Sequence, residues 1–167
     1  ADLKDLKVLV MSNVNMMDHE ECAAIREWVR GGGKLLATGG TSLVDKEGNK
    51  QDDFMLADVF GVSVKKADWS PRNHYLAPTE TGQRFFPEFD PEYPAFCDGY
   101  GFTVAPNDEV EVLATTTLPW SHADASQFSS IHSDPPWERT DNPEIVSHRF
   151  GKGRVIYCST VVEDYAT

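Results

Sequence analysis

Apolar positions along this chain follow two rhythms, and each predicts its own elements. Val8-Leu9-Val10-Met11 is an unbroken apolar run closed by Ser12-Asn13, the pattern of a strand buried on both faces of a parallel sheet. The period then lengthens. Cys22, Ile25 and Val29 recur at helical spacing, Ala24 and Trp28 widen the stripe, and Glu20, Glu21, Arg26 and Glu27 supply a polar face. Asp18 and Glu21 form a capping box, Met17 and Cys22 are placed as a hydrophobic staple, and Gly31 to Gly33 end the helix. Leu35-Leu36-Ala37 follows as the next strand. Strand, helix and strand with short connections predict a right-handed parallel unit.

Further on, Asp45 to Lys50 reads as a turn, and Phe54, Leu56, Ala57, Val59 and Phe60 as a short amphipathic helix stopped by Gly61. From Trp69 to Trp137 nine of the ten prolines interrupt the pattern, which predicts loops and short strands. Phe102 to Ala105 and Val110 to Thr116 are the clearest strands there, joined by the turn Pro106-Asn107-Asp108. Ile145 to Phe150, Gly151-Lys152-Gly153 and Arg154 to Ser159 read as a β-hairpin. Its second strand, with the apolar run Val155 to Cys158, is expected to enter the main sheet. His148, alternating with its neighbours, is expected to be exposed. No internal repeat or low-complexity segment is present.

Length and composition narrow the classes. The 167 residues suit one domain with a real core, and 40% apolar against 25% charged residues is ordinary for a globular protein. The formal charge of −12 repels phosphate backbones and anionic lipid, so neither nucleic acid nor membrane is an expected partner. Cys22, Cys97 and Cys158 are far apart and odd in number, unlike a disulfide framework or a zinc site. Cys22 and Cys158 read as small core residues. The chain is in a strand pattern by Lys7 and stops just after another apolar run. That abruptness predicts a piece of a longer polypeptide.

Candidate chemistry is sparse. The carboxyl end of the second strand, where open α/β sheets hold their sites, carries Thr38-Gly39-Gly40-Thr41-Ser42. Ser42 is followed by Leu43 and Val44, too bulky for the strained turn of a nucleophile elbow, so its hydroxyl is expected to cap a backbone group. His122 and His132 share a loop with Asp124 and Asp134, a weak signal for metal, and no cofactor is expected. Asp98, between Cys97 and Gly99 among aromatics, is the least ordinary carboxylate. Twelve of the eighteen aromatic residues fall between Trp69 and Trp137. Most would form a satellite core under loops. Trp69, Trp120 and Trp137, beside prolines or charges, are candidates for a subunit interface or for stacking on a sugar. A small hydrolase using Ser42 or Asp98 with His122 or His132 is the enzymatic alternative, and a carbohydrate-binding module using Trp120 and Trp137 is the third.

The segments Val8 to Asn13, Asp18 to Glu21 and Ile25 to Thr38 (IREWVRGGGKLLAT), with Thr41-Ser42-Leu43, Asp53-Phe54, Phe60-Gly61-Val62 and Phe150 to Tyr157 (FGKGRVIY), resemble a known family. It is the β-galactosidase trimerisation domain of multidomain glycoside hydrolases, a class I glutamine amidotransferase-like domain. The resemblance covers residues 3–62 and 143–160. It implies a three-layer α/β, flavodoxin-like domain over 1–167. Its sheet would be mainly parallel, with an irregular β-rich insertion at about 63–142 and a C-terminal hairpin. In amidotransferase relatives the catalytic Cys would fall at Gly39, or at Thr38 if the register slips by one, so no amidotransferase activity is expected. The resemblance also implies a catalytic (β/α)-barrel upstream in the same polypeptide, assembly into trimers, and a cytoplasmic setting. In such domains a loop can approach a neighbouring subunit's active site.

Overall fold

The computed structural model describes residues 2–66, 71–107, 109–122, 125–130 and 132–165. After a 3-10 turn at Leu3–Asp5 the elements are β1 (Val8–Met11), α1 (His19–Arg30), β2 (Lys34–Thr38), α2 (Ala57–Phe60) and β3 (Val62–Lys66). Then come β4 (Pro71–Pro78), α3 (Glu80–Gln83), β5 (Ala95–Tyr100), β6 (Thr103–Pro106), β7 (Glu111–Pro119), β8 (Pro136–Phe150) and β9 (Gly153–Cys158). A seven-stranded sheet has the order β1-β2-β9-β8-β7-β4-β5, and β3 pairs with β6 in a separate ribbon.

The opening unit forms as expected. Asp18 accepts from the Glu21 amide at 2.7 Å and Glu21 returns the bond to the Asp18 amide at 2.9 Å, completing the capping box. β1 runs parallel to β2, and β2 runs parallel to β9. The closing hairpin also forms, with β8 antiparallel to β9.

The fold class does not hold. Strands make up 43% of the described residues and helices 17%, and the sheet curls into a mixed half-barrel. This excludes a helix-rich, three-layer, flavodoxin-like or amidotransferase-like sheet. Only β1, β2 and β9 are parallel; β9-β8, β8-β7, β7-β4 and β4-β5 are all antiparallel. The physical reason lies in the connections. Parallel pairing needs a crossover, usually a helix, and after α2 no helix among the described residues is longer than four residues.

The layers are also two rather than three at the parallel end. α1 touches β9 where Gly153 lies: a Cβ there would stand 2.1 Å from the Val29 carbonyl oxygen. Gly153 shares its face with Val155 and Tyr157, and Tyr157 stacks on Phe60 of α2 at 4.9 Å between ring centroids. Both α1 and α2 therefore cover one face. Phe54, Phe102 and Phe60 complete the aromatic centre of that core, each such burial contributing about 2–3 kcal/mol before entropic costs. Among the described residues no such helix covers the opposite face of these strands. There Val8 is 52% and Val10 56% exposed, while Leu9 is half-buried and Met11 buried. β1 is thus buried on one face only, a correction to its apolar reading.

Three more expectations change. Thr103–Pro106 and Glu111–Pro119 do not form a hairpin: β6 pairs with β3, whereas β7 lies between β8 and β4. The proline-rich region is more regular than expected, since β4 has eight residues, β7 nine, and β8 begins at Pro136 and runs for fifteen. His148 is buried, with Nδ1 2.9 Å from the Val59 carbonyl oxygen. That backbone partner is what permits a polar ring in the core.

Candidate functional site

The loop after β2 sits where an open α/β sheet usually holds its chemistry, and here it is closed by its own hydrogen bonds. Thr38 Oγ1 accepts from the Asn13 amide at 3.0 Å and donates to Glu163 Oε1 at 2.6 Å. Asn13 Oδ1 accepts from the Gly40 amide at 2.9 Å. Thr41 Oγ1 accepts from the Val14 amide and donates to the Thr38 carbonyl at 2.7 Å. Tyr157 donates its hydroxyl to the Gly39 carbonyl at 2.8 Å, and burial pushes that phenol well above its ordinary value. It stays neutral and donating.

Gly39, where the resemblance to amidotransferases would put a nucleophile, has φ +58°, and a Cβ there would stand 2.5 Å from Asn13 Oδ1 and 2.7 Å from Val161 Cγ2. No side chain fits without displacing the loop. Thr38 carries a hydroxyl, already bonded on both sides. Ser42 is fully buried at φ +63°, and its Oγ accepts from the Leu56 amide at 3.2 Å. Its role is the structural one expected from its bulky neighbours. Burial pushes the Cys22 thiol up to about 11 and Cys158 further still, so neither supplies a thiolate near neutral pH.

A buried polar cluster is the feature that sequence reasoning missed. Glu144 and His74 are each 1% exposed. Glu144 Oε1 accepts from Thr116 Oγ1 at 2.7 Å and lies 3.5 Å from His74 Nε2. Its Oε2 accepts from the Ser159 hydroxyl and from Thr160 Oγ1 at 2.8 Å. The cluster joins β4, β7, β8 and the segment after β9. Its one sequence signal is Glu144 itself, an acid beside the apolar run that starts β8's buried half. Closed to solvent, the cluster reads as a polar rivet of the antiparallel sheet.

The other candidates scatter. Trp120 and Trp137 do meet, edge to face at 4.4 Å between ring centroids, with Trp137 55% exposed. Asp134 accepts from the Ser121 amide at 2.9 Å and from Ser121 Oγ at 2.7 Å, which fixes the loop below them. His122 is half-buried in that loop, and His132 is exposed in a turn. Asp98 lies in β5 opposite Asn73; its side chain, like Trp69 and Asp124, lies outside the described residues. Among the described residues no group of three or more His, Cys, Asp or Glu could hold a metal ion, and no helix is long and apolar enough to cross a membrane.

What remains accessible is apolar surface. One strip follows β1 and its flanks, through Leu6, Val8, Val10, Val14 and Met16, each between 38% and 56% exposed. A second surrounds a groove of about 290 Å³ on the other side of the sheet order, lined by Leu76, Phe86, Phe89, Phe96 and Ile145 among others.

Solved structures share this fold. An α-L-fucosidase isoenzyme 2 from Paenibacillus thiaminolyticus is 24% identical with a TM-score of 0.70, covering 100% of this chain and 24% of its own. A β-galactosidase from Bacillus circulans sp. alkalophilus is 15% identical with a TM-score of 0.70, covering 96% of this chain and 21% of its own. A polyextremophilic β-galactosidase from the Antarctic haloarchaeon Halorubrum lacusprofundi is 16% identical with a TM-score of 0.66, covering 96% and 20%. The chain therefore spans about a fifth to a quarter of the length of these enzymes. No curated protein matches it by sequence. Along its whole length, residues 1–167, it matches the β-galactosidase trimerisation domain, and it belongs to that family.

Proposed function

We infer that this chain is a non-catalytic accessory domain, residues 1–167, of a longer glycoside hydrolase of the β-galactosidase type. It supports subunit assembly and shapes the active site of a separate catalytic barrel in the same polypeptide. The observation that carries this reading is the closure of the loop after β2. Thr38, Thr41 and Ser42 spend their hydroxyls on backbone and on Glu163, and Gly39 leaves no room for a nucleophile. Function then falls to the surface, where apolar strips are what an interface uses. The purified chain is expected to show no turnover of nitrophenyl glycosides or of glutamine. Hydrolysis that co-purifies with the chain and disappears in a Ser42→Ala or Thr38→Val variant would overturn the reading.

The exposed Trp137 against Trp120 supports a second reading, a carbohydrate contact by stacking on the indole. Titration with galacto-oligosaccharides, followed by tryptophan emission in the parent and in Trp137→Ala, tests it. A saturable change lost in the variant supports a sugar site, and a flat titration removes it.

A further inference from the structure

A carboxylate oxygen taken out of water needs a countercharge or hydrogen-bond donors. Glu144 has both, in His74 and three hydroxyls. Glu163 is different. It stands on the 3-10 turn Val162–Tyr165 and reaches back to the end of β2, where its Oε1 accepts from Thr38 Oγ1 at 2.6 Å. Its Oε2 is buried without a hydrogen-bond partner among the described residues, and no Lys, Arg or His among them pairs with it. Thr38 has nothing more to give, since its one proton goes to Oε1 and its lone pair takes the Asn13 amide. Protonation of Glu163 would remove the charge but not the mismatch, because an Oε2–H would lack an acceptor as the bare oxygen lacks a donor.

The place of this oxygen narrows what it would take. β1, β2 and β9 are parallel, so the loops that follow them lie at one end of the sheet, where open α/β sheets bind ligands. The other buried side-chain oxygen without a partner among the described residues, Asn15 Oδ1, belongs to the same end, in the loop after β1. Both are acceptors. The neighbouring side chains Thr38, Thr41 and Asn13 likewise present oxygen, each accepting a backbone amide. Oxygen-only surroundings suit a hard cation or an ammonium group. One carboxylate, half spent on Thr38, does not balance a divalent ion, and among the described residues no group of three or more His, Cys, Asp or Glu gathers to help it. The occupant must also be compact, because a Cβ on Gly39 would already stand 2.5 Å from Asn13 Oδ1 and 2.7 Å from Val161 Cγ2. The formal charge of −12 favours a positive ligand over a negative one.

We propose that Glu163, with Thr38 beside it, is a binding site for one compact monovalent cation, either a free alkali or ammonium ion or the ammonium head of a lysine side chain. The cation meets Oε2 and supplies the charge that the closed loop lacks. Because Oε1 stays on Thr38, binding also ties the turn after β9 to the end of β2. The site is apart from the apolar strips, so its failure leaves the assembly reading untouched.

Thermal unfolding of the chain in potassium, ammonium, methylammonium and tetramethylammonium chloride, all at one ionic strength, tests this. Methylammonium copies a lysine head, and tetramethylammonium carries the charge without the small size or the N–H donors. Relative to tetramethylammonium, a saturable rise in midpoint of about 3–6 °C is expected at ten times the half-saturating concentration of the bound cation. A rise with potassium assigns a free ion, and a rise confined to the two N–H donors assigns an ammonium head. Glu163→Gln keeps an acceptor for Thr38 without the charge, and is expected to lose the preference. Amide spectra of the parent add a readout that needs no variant: saturating shifts are expected at Asn13, Thr38 and Glu163. Equal parent midpoints in all four salts, a preference that survives in Glu163→Gln, or shifts spread over the acidic surface would overturn the site.

Discussion

The parallel third of the sheet and its antiparallel remainder bury polar groups in opposite ways. In β1, β2 and β9 the buried hydroxyls belong to the loop after β2, and they bind the backbone of the neighbouring strand end: Thr38 with Asn13, Thr41 with Val14. In β8, β7 and β4 one carboxylate, Glu144, gathers Thr116, Ser159, Thr160 and His74 from three other segments. The first arrangement closes a place where chemistry could have occurred. The second fastens strands that have no crossover helix to hold them. The first leaves Glu163 Oε2 buried without a hydrogen-bond partner among the described residues, whereas the second occupies both oxygens of its carboxylate.

The difference can be broken most forcefully at the rivet. Glu144→Ala strands three hydroxyls and the His74 ring without their shared acceptor, and removing one partner of a buried ionisable pair typically costs about 3–5 kcal/mol. Urea unfolding should show that loss. A cost below about 1 kcal/mol would mean that the antiparallel half does not depend on the cluster.

The closed loop is tested by reopening it. Gly39→Cys places a thiol in the loop, but at φ +58° and against Asn13 and Val161. The expected result is a loss of about 1–3 kcal/mol from backbone strain and crowding, with no gain of amidase activity. A variant as stable as the parent, or one that hydrolyses glutamine, would show that the loop is only dormant.

The smallest effect lies on the helix layer. Asp58 is bound by Arg26 Nε at 2.8 Å and Nη2 at 2.9 Å. Burial pushes its carboxyl up, but the Arg26 hydrogen bonds and charge outweigh it and hold the group below its ordinary value. Its contribution is therefore complete above the unfolded value near about 4, and is lost as pH falls through the lower folded value. Both side chains are partly exposed, so the pair contributes at most about 1 kcal/mol. The gap in thermal midpoint between parent and Asp58→Asn should be small near neutrality and close in acid. A gap that widens in acid contradicts the assignment.

How much of this was legible in the sequence follows the same division. The capping box at Asp18 and Glu21, the short helix before Gly61 and the closing hairpin each rest on local chemistry within a few residues, and each formed. The structural role of Ser42 was legible for the same reason, since Leu43 and Val44 adjoin it. The layer count was not. Val8 to Met11 is apolar on both faces, and periodicity cannot say whether the second face meets a helix, another subunit or solvent. The antiparallel strands were hidden for a different reason. Prolines at 71, 78, 119, 135 and 136 suggest interruption, yet they stand at strand ends, where a missing N–H is tolerated. His148 and Glu144 read as ordinary strand residues because their partners, Val59 and Thr116 among them, are distant in sequence.

If this domain acts by assembling, the mass of the purified chain in solution shows it most directly. Sedimentation equilibrium across a wide range of concentrations should converge on three times the 18.6 kDa chain mass, with dissociation only at the dilute end. A mass of one chain throughout would contradict it.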